Sequence, residues 1–172
     1  MSIPAPASIK HILVFTLDEP RYALDLSVVE RVIRAVELTA LPDSPPMVLG
    51  AINVHGQITP VVDLRRHLGL PPQALNPDRR LILARTESQR VALLVDNVAG
   101  IHDLAEGEWV AADDLLPGAL YIHSMAKVGT DLVLICDLDQ LLSLQERIDL
   151  AQVLAQEGLD ALPRSHPVGQ AA

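Results

Sequence analysis

Six histidines, one cysteine and a pair of adjacent aspartates are the residues with reactive potential in this chain, and their spacing argues against a reaction centre. His11, His55, His67, His102, His123 and His166 are scattered, with no pair at metal-ligand separation, and Cys136 alone cannot complete a thiolate set. No metal or cofactor is expected. The sequence has no G-x-G-x-x-G, no G-x-x-x-x-G-K-[ST], no H-E-x-x-H and no G-x-S-x-G. Asp113-Asp114 falls in a loop-like stretch, without the desolvated surroundings that general acid/base catalysis requires. Cys136 closes an apolar run and reads as an inert core thiol. Asp63 and Asp137 each end an apolar run, where a carboxylate caps the helix that follows it. A binding or scaffold protein is expected, not an enzyme.

Composition narrows the partners. A chain of 172 residues with 49% hydrophobic content can bury one sizeable core or two small ones that share an interface. Its 13 Lys and Arg stand against 22 Asp and Glu, for a formal charge of −9, so phosphate-rich partners such as nucleic acid are excluded. With one Phe, two Tyr and one Trp there is little to build a base-stacking platform from. A single cysteine fits a reducing compartment. No apolar run approaches the roughly 20 residues of a membrane span, and the N-terminus lacks a signal-like core. The expectation is a soluble, cytoplasmic protein with no direct membrane insertion.

The elements read mostly as β-strand. Gly50 to Arg66, GAINVHGQITPVVDLRR, predicts a hairpin with His55 at its tip and Gly56 supplying positive φ. Pro60 belongs at an edge, bulge or barrel corner. Upstream, strands over Ile9–Leu17 and Tyr22–Leu26 flank a turn, while Val28 to Val36 suits either helix or strand. Ser44-Pro45 predicts a helix N-terminus that Gly50 would stop. Leu64 to Leu68 reads as one helical turn, and the stretch from Pro71 to Asp78 as a linker. Ser143 and Glu146 have capping-box spacing and open a C-terminal helix running to Gly158. The expected organisation is a mobile lead over 1–8, one folded unit over 9–157 and a frayed tail over 158–172.

Comparing the chain with itself shows an internal repeat. At an offset of 69, Ile12, Leu13, Val14, Ala23, Leu24, Val29 and Val32 fall on Leu81, Ile82, Leu83, Ala92, Leu93, Val98 and Ile101. The offset then becomes 74, and Ile58, Val61, Asp63 and Leu64 meet Leu132, Ile135, Asp137 and Leu138. Two β-rich lobes follow, and short antiparallel strands protect their edges best by curling into small barrels.

Phe15, Tyr22-Ala23-Leu24, Val29, Val32-Ile33, Leu41-Pro42, Gly50-x-Ile52-Asn53, Gly56, Pro60-Val61-Val62-Asp63-Leu64 and Val95-Asp96-x-Val98 together resemble the CheW-like family of chemotaxis coupling proteins, over about residues 9 to 155. The resemblance implies two five-stranded, SH3-like barrel lobes with short helices. It also implies an adaptor that joins the cytoplasmic tips of chemoreceptors to the regulatory domain of a CheA-type histidine kinase. By position it implies a receptor-facing groove with Val29, Val32, Asn53, His55, Gly56 and Val98, and kinase contacts from loops between about Ala99 and Gly129. The family usually reads Asn-Leu-Arg-Gly where this chain reads Asn53-Val54-His55-Gly56, replacing a permanent cation with a group that titrates near pH ~6.5. His55 is therefore expected to tune receptor association, more tightly at lower pH if it meets a carboxylate. A small-molecule-binding β-barrel regulatory domain is the second reading.

Overall fold

The computed structural model describes residues 9–18, 21–111 and 121–142. Among these, the strands are β1 (Ile9–Thr16), β2 (Arg21–Asp25), β3 (Val29–Arg34), β4 (Val48–Val54), β5 (Gln57–Asp63), β6 (Arg80–Arg85), β7 (Arg90–Val95), β8 (Asn97–Ala105), β9 (Trp109–Ala111), β10 (Ile122–Val128) and β11 (Asp131–Cys136). The one-turn helices α1 (Leu64–His67) and α2 (Leu138–Leu141) follow β5 and β11. The mostly-β expectation is met. The open segment Val28 to Val36 resolves into the end of a 3-10 turn over Leu26–Val28 followed by strand β3, as its β-branched residues favour. The C-terminal helix and Asp113-Asp114 lie outside the described residues.

The strands form two sheets, ordered β8-β1-β2-β11-β10-β9 and β3-β6-β7-β5-β4. The lobes are not the two halves of the chain. Each half lends its first hairpin to the other half's sheet: β1-β2 lies between β8 and β11, and β6-β7 between β3 and β5. Pairing registers reproduce the sequence offsets. Leu13 faces Ile101 as Val32 faces Ile82, and Ala23 faces Ile135 as Ala92 faces Val61. Even the irregularities recur, at Val48/Gly50 and Ile122/Ser124, and at Val29/Arg31 against β6 and the equivalent Val98/Gly100 against β1. The six-stranded lobe differs by its added edge strand, β9.

Strand alternation divides the apolar residues among three cores. Ile12, Val14, Ala23, Leu104, Val133 and Ile135 fill one lobe, and Ile52, Val61, Leu81, Leu83, Ala92 and Leu94 fill the other. The opposite faces meet in the largest core, to which the six-stranded lobe brings Leu13, Phe15, Leu17 and Leu24 and the five-stranded lobe Val62, Leu64, Ile82 and Leu93. All eight are buried. At about 1.5–3 kcal/mol for each such side chain, parting the lobes would cost on the order of 10 kcal/mol or more, comparable to the whole stability of a domain.

One local expectation fails. No helix follows Ser44; its hydroxyl donates to the Leu41 and Val48 carbonyls, and Val48 N–H closes a turn onto Pro45. Gly50 lies inside β4, where Thr39 and Ala51 exchange backbone hydrogen bonds of 3.0 and 2.8 Å. A Cβ on Gly50 would sit 2.4 Å from the Thr39 carbonyl oxygen, so this glycine permits a close backbone approach and stops no helix. Pro60 directly precedes Val61, where pairing with β7 begins, so β5 is an edge at that point as expected.

Candidate partner-binding surface

The six residues expected at the receptor-facing groove fall into two groups. Val29 and Val32 on β3 and Val98 on β8 are half-buried and pack on the core between the lobes. Val29 and Val98 are repeat equivalents, and each adjoins a register shift that turns it toward that core. Asn53, His55 and Gly56 are exposed at the β4-β5 hairpin tip. His55 (φ 50°) and Gly56 (φ 85°) both occupy the left-handed region, the pairing that a two-residue type I′ turn demands. Asn53 Oδ1 accepts from Gly56 N–H at 2.7 Å and braces the tip.

Arg31, which the sequence did not single out, reaches the same tip. Its Nη1 donates to His55 Nε2 at 3.1 Å. A guanidinium has no acceptor, so this contact needs a free lone pair on Nε2 and hence a neutral imidazole with its proton on Nδ1. The permanent cation at the hairpin is therefore Arg31, with His55 as its acceptor. Protonating His55 would break this bond, so the neutral imidazole is the form that holds Arg31 at the tip. Beside it Arg90 binds Glu30 through two hydrogen bonds, of 2.5 and 3.0 Å, and also donates to Gln57. That guanidinium holds the Glu30 carboxyl below the usual carboxylate range. A groove of about 270 Å³ opens below the tip, lined by Ile33, Val36, Ile52, Val54 and Leu83.

A second feature missed in the sequence fixes how the lobes meet. Arg65, on α1 and almost fully buried, donates to Asp18 Oδ1 and Oδ2 at 3.0 and 2.9 Å and to Asp96 Oδ2 at 2.7 Å. Buried Arg79 lies 3.7 Å from Asp63 Oδ1 and 3.6 Å from Asp96 Oδ1. The Arg65 guanidinium holds Asp18 below the usual carboxylate range. Pairs separated by 47 residues in the chain leave no signal in local spacing.

Asp63, Asp137 and Cys136 serve structure. Asp63 accepts from Arg65 N–H, and Asp137 from the N–H groups of Asp139 and Gln140, so both cap their helices as expected. Burial pushes the Cys136 thiol up to about 12. Among the described residues no group of three or more His, Cys, Asp or Glu could hold a metal ion, and no helix is long and apolar enough to cross a membrane. The stretch expected to carry kinase-contacting loops is strand in β8, β9 and β10, and 112–120 lie outside the described residues.

Comparison with known proteins agrees with this geometry. A family model described as CheW-like domain matches residues 11–146, across both lobes. The chain is 36% identical over 97 residues to the chemotaxis protein CheW of Thermotoga maritima, covering 56% of this chain and 64% of that protein, just under two thirds of its length. It is 23% identical over 148 residues to the CheW of Treponema pallidum, covering 83% and 87%. The crystal structure of the scaffolding protein TtCheW from Thermoanaerobacter tengcongensis superposes with a TM-score of 0.73 at 28% identity, over 81% of this chain and 96% of that one. With a matching domain, matching relatives and a matching two-lobed fold, the chain belongs to the CheW-like family.

Proposed function

We propose that this chain is a cytoplasmic adaptor that joins chemoreceptor tips to the regulatory domain of a CheA-type histidine kinase. Membership in a family of chemotaxis scaffolds makes it a non-catalytic coupling protein of chemotaxis-type signalling. One observation carries the receptor assignment: Val29, Val32 and Val98 come from β3 and β8, on different lobes, and all three stay half open at the margin of the core that the lobes share. Such positions gain further burial only from a partner's apolar side chains. The kinase would be met by the second half of the chain, between about Ala99 and Gly129.

The test is calorimetric titration of a receptor-tip fragment and, separately, of the kinase regulatory domain. Both should bind, and Val32→Glu should weaken the receptor interaction about tenfold or more with kinase binding retained. Failure of the wild-type chain to bind either protein would overturn the proposal. Among the described residues, the groove below the hairpin and a cleft of about 210 Å³ beside α2 are both smaller than the roughly 300–1,000 Å³ of ligand pockets.

A further inference from the structure

The two barrels close differently at equivalent points. In the six-stranded lobe β9 runs along the outer edge of β10, pairing Trp109 with Ala126 and Val110 with Met125. Trp109 packs on the core containing Val14 and Ala126, next to Val128, and Lys10 Nζ stands 5.1 Å from the centroid of its ring. The repeat offsets carry Val14, Ala126 and Val128 onto Leu83, Ile52 and Val54, which line the open groove of the five-stranded lobe. Along the edge of β4 the described residues offer one isolated bridge, Thr39 to Ala51, which matches the pairing of Val110 with Met125. By that register Leu38 stands where Trp109 stands. One lobe plugs its barrel mouth with its own indole under a cation, and the other leaves the mouth open with a cation at its rim.

We propose that this groove receives a large apolar side chain of the receptor segment, and that Arg31 pairs with a carboxylate next to it. This rests on the receptor-coupling role above and names the chemistry of its contact. The groove walls are aliphatic, and Val36 at its edge is 44% exposed. Arg31 spends one of its five N–H donors on His55, which leaves the fork free for a carboxylate. Charge selects the occupant: on a chain of net charge −9, this corner carries Arg31, Arg85 and Arg90 against Glu30, which Arg90 already engages. An acidic segment is repelled by most of the surface and attracted here. His55 is a positioning residue that steers the guanidinium. The counterparts of Arg31 and His55 in the other lobe are Gly100 and Gly129, so no such clasp exists there.

Fluorescence anisotropy with a labelled receptor-tip fragment tests the proposal, using the full chain, Arg31→Glu, Val36→Trp and Val32→Glu, with the kinase regulatory domain as control. Arg31→Glu should weaken receptor binding about tenfold or more. Val36→Trp, which supplies an indole in cis and fills the groove, should weaken it too. Kinase binding should be unchanged in both. Wild-type receptor affinity in Arg31→Glu and Val36→Trp, alongside loss in Val32→Glu, would overturn this proposal and leave the coupling role standing. A wild-type chain that binds neither receptor nor kinase would overturn both.

Discussion

The two lobes share strand order, registers and bulges, yet at equivalent positions their polar residues have parted. Arg79, buried against Asp63 and Asp96, corresponds to Lys10, which lies over Trp109 at the surface. Arg65 reaches Asp18, whereas its counterpart Asp139 accepts from the backbone N–H of Glu87, the counterpart of Asp18. Gly50 corresponds to the buried Ser124. The apolar alternation that fixes a sheet register tolerates little change, because a one-residue slip would turn the core outward. Charged groups at the margins carry no such constraint, and a duplicated scaffold can therefore hold different sites in its two copies.

The largest contrast should appear at the arginine-lysine pair. Arg79→Ala removes a buried cation shared by Asp63 and Asp96, although Asp96 keeps Arg65, and should cost about 3–5 kcal/mol in urea denaturation, while Lys10→Ala should cost under about 1 kcal/mol. Equal losses would show that the lobes do not differ in buried charge as described. Gly50→Ala drives a Cβ into the Thr39 carbonyl and should cost about 2–3 kcal/mol, although the other lobe accommodates a serine at the same point. Next comes Gly56→Val, with about 1–2 kcal/mol expected from left-handed strain alone, since no atom crowds that position. An unchanged midpoint would contradict the turn geometry.

The smallest effect concerns acid. Asp18 is held below its ordinary value of 3.8 by Arg65, so its contribution is fully present above that value and is lost as pH falls through the lower folded value. The unfolding midpoint should therefore drop on strong acidification, and Asp18→Asn should flatten that limb. Glu87→Gln, which retains the backbone donor to Asp139, is the control in the other lobe.

Apolar pattern and turn chemistry carried most of the fold into view: both halves of the repeat, the hairpin at His55-Gly56 and the caps at Asp63 and Asp137 follow from local residues. What stayed hidden was long-range. Offsets in a sequence reveal two copies but cannot say that their hairpins are exchanged, because β2 and β7 are apolar on both faces and would be covered equally well in either sheet. Ser44-Pro45 carries the local signal of a helix start, but the Thr39 bridge to Ala51 draws the chain into strand instead. At the candidate site, the three valines and the hairpin were legible through the family pattern. Arg31 was not, since its significance lies in a contact with a residue on another strand.

The exchanged hairpins also impose an order on synthesis. Every strand of the five-stranded sheet is in hand once the chain has reached Val95, whereas the six-stranded sheet waits for Cys136. The hairpin β1-β2, first to leave the ribosome, is thus among the last to be enclosed, and it carries Leu13, Phe15 and Leu24 uncovered while its flanking strands are still being made. A nascent chain that has emerged only as far as β8 would hold one finished sheet and one orphaned hairpin with its apolar face open to other proteins.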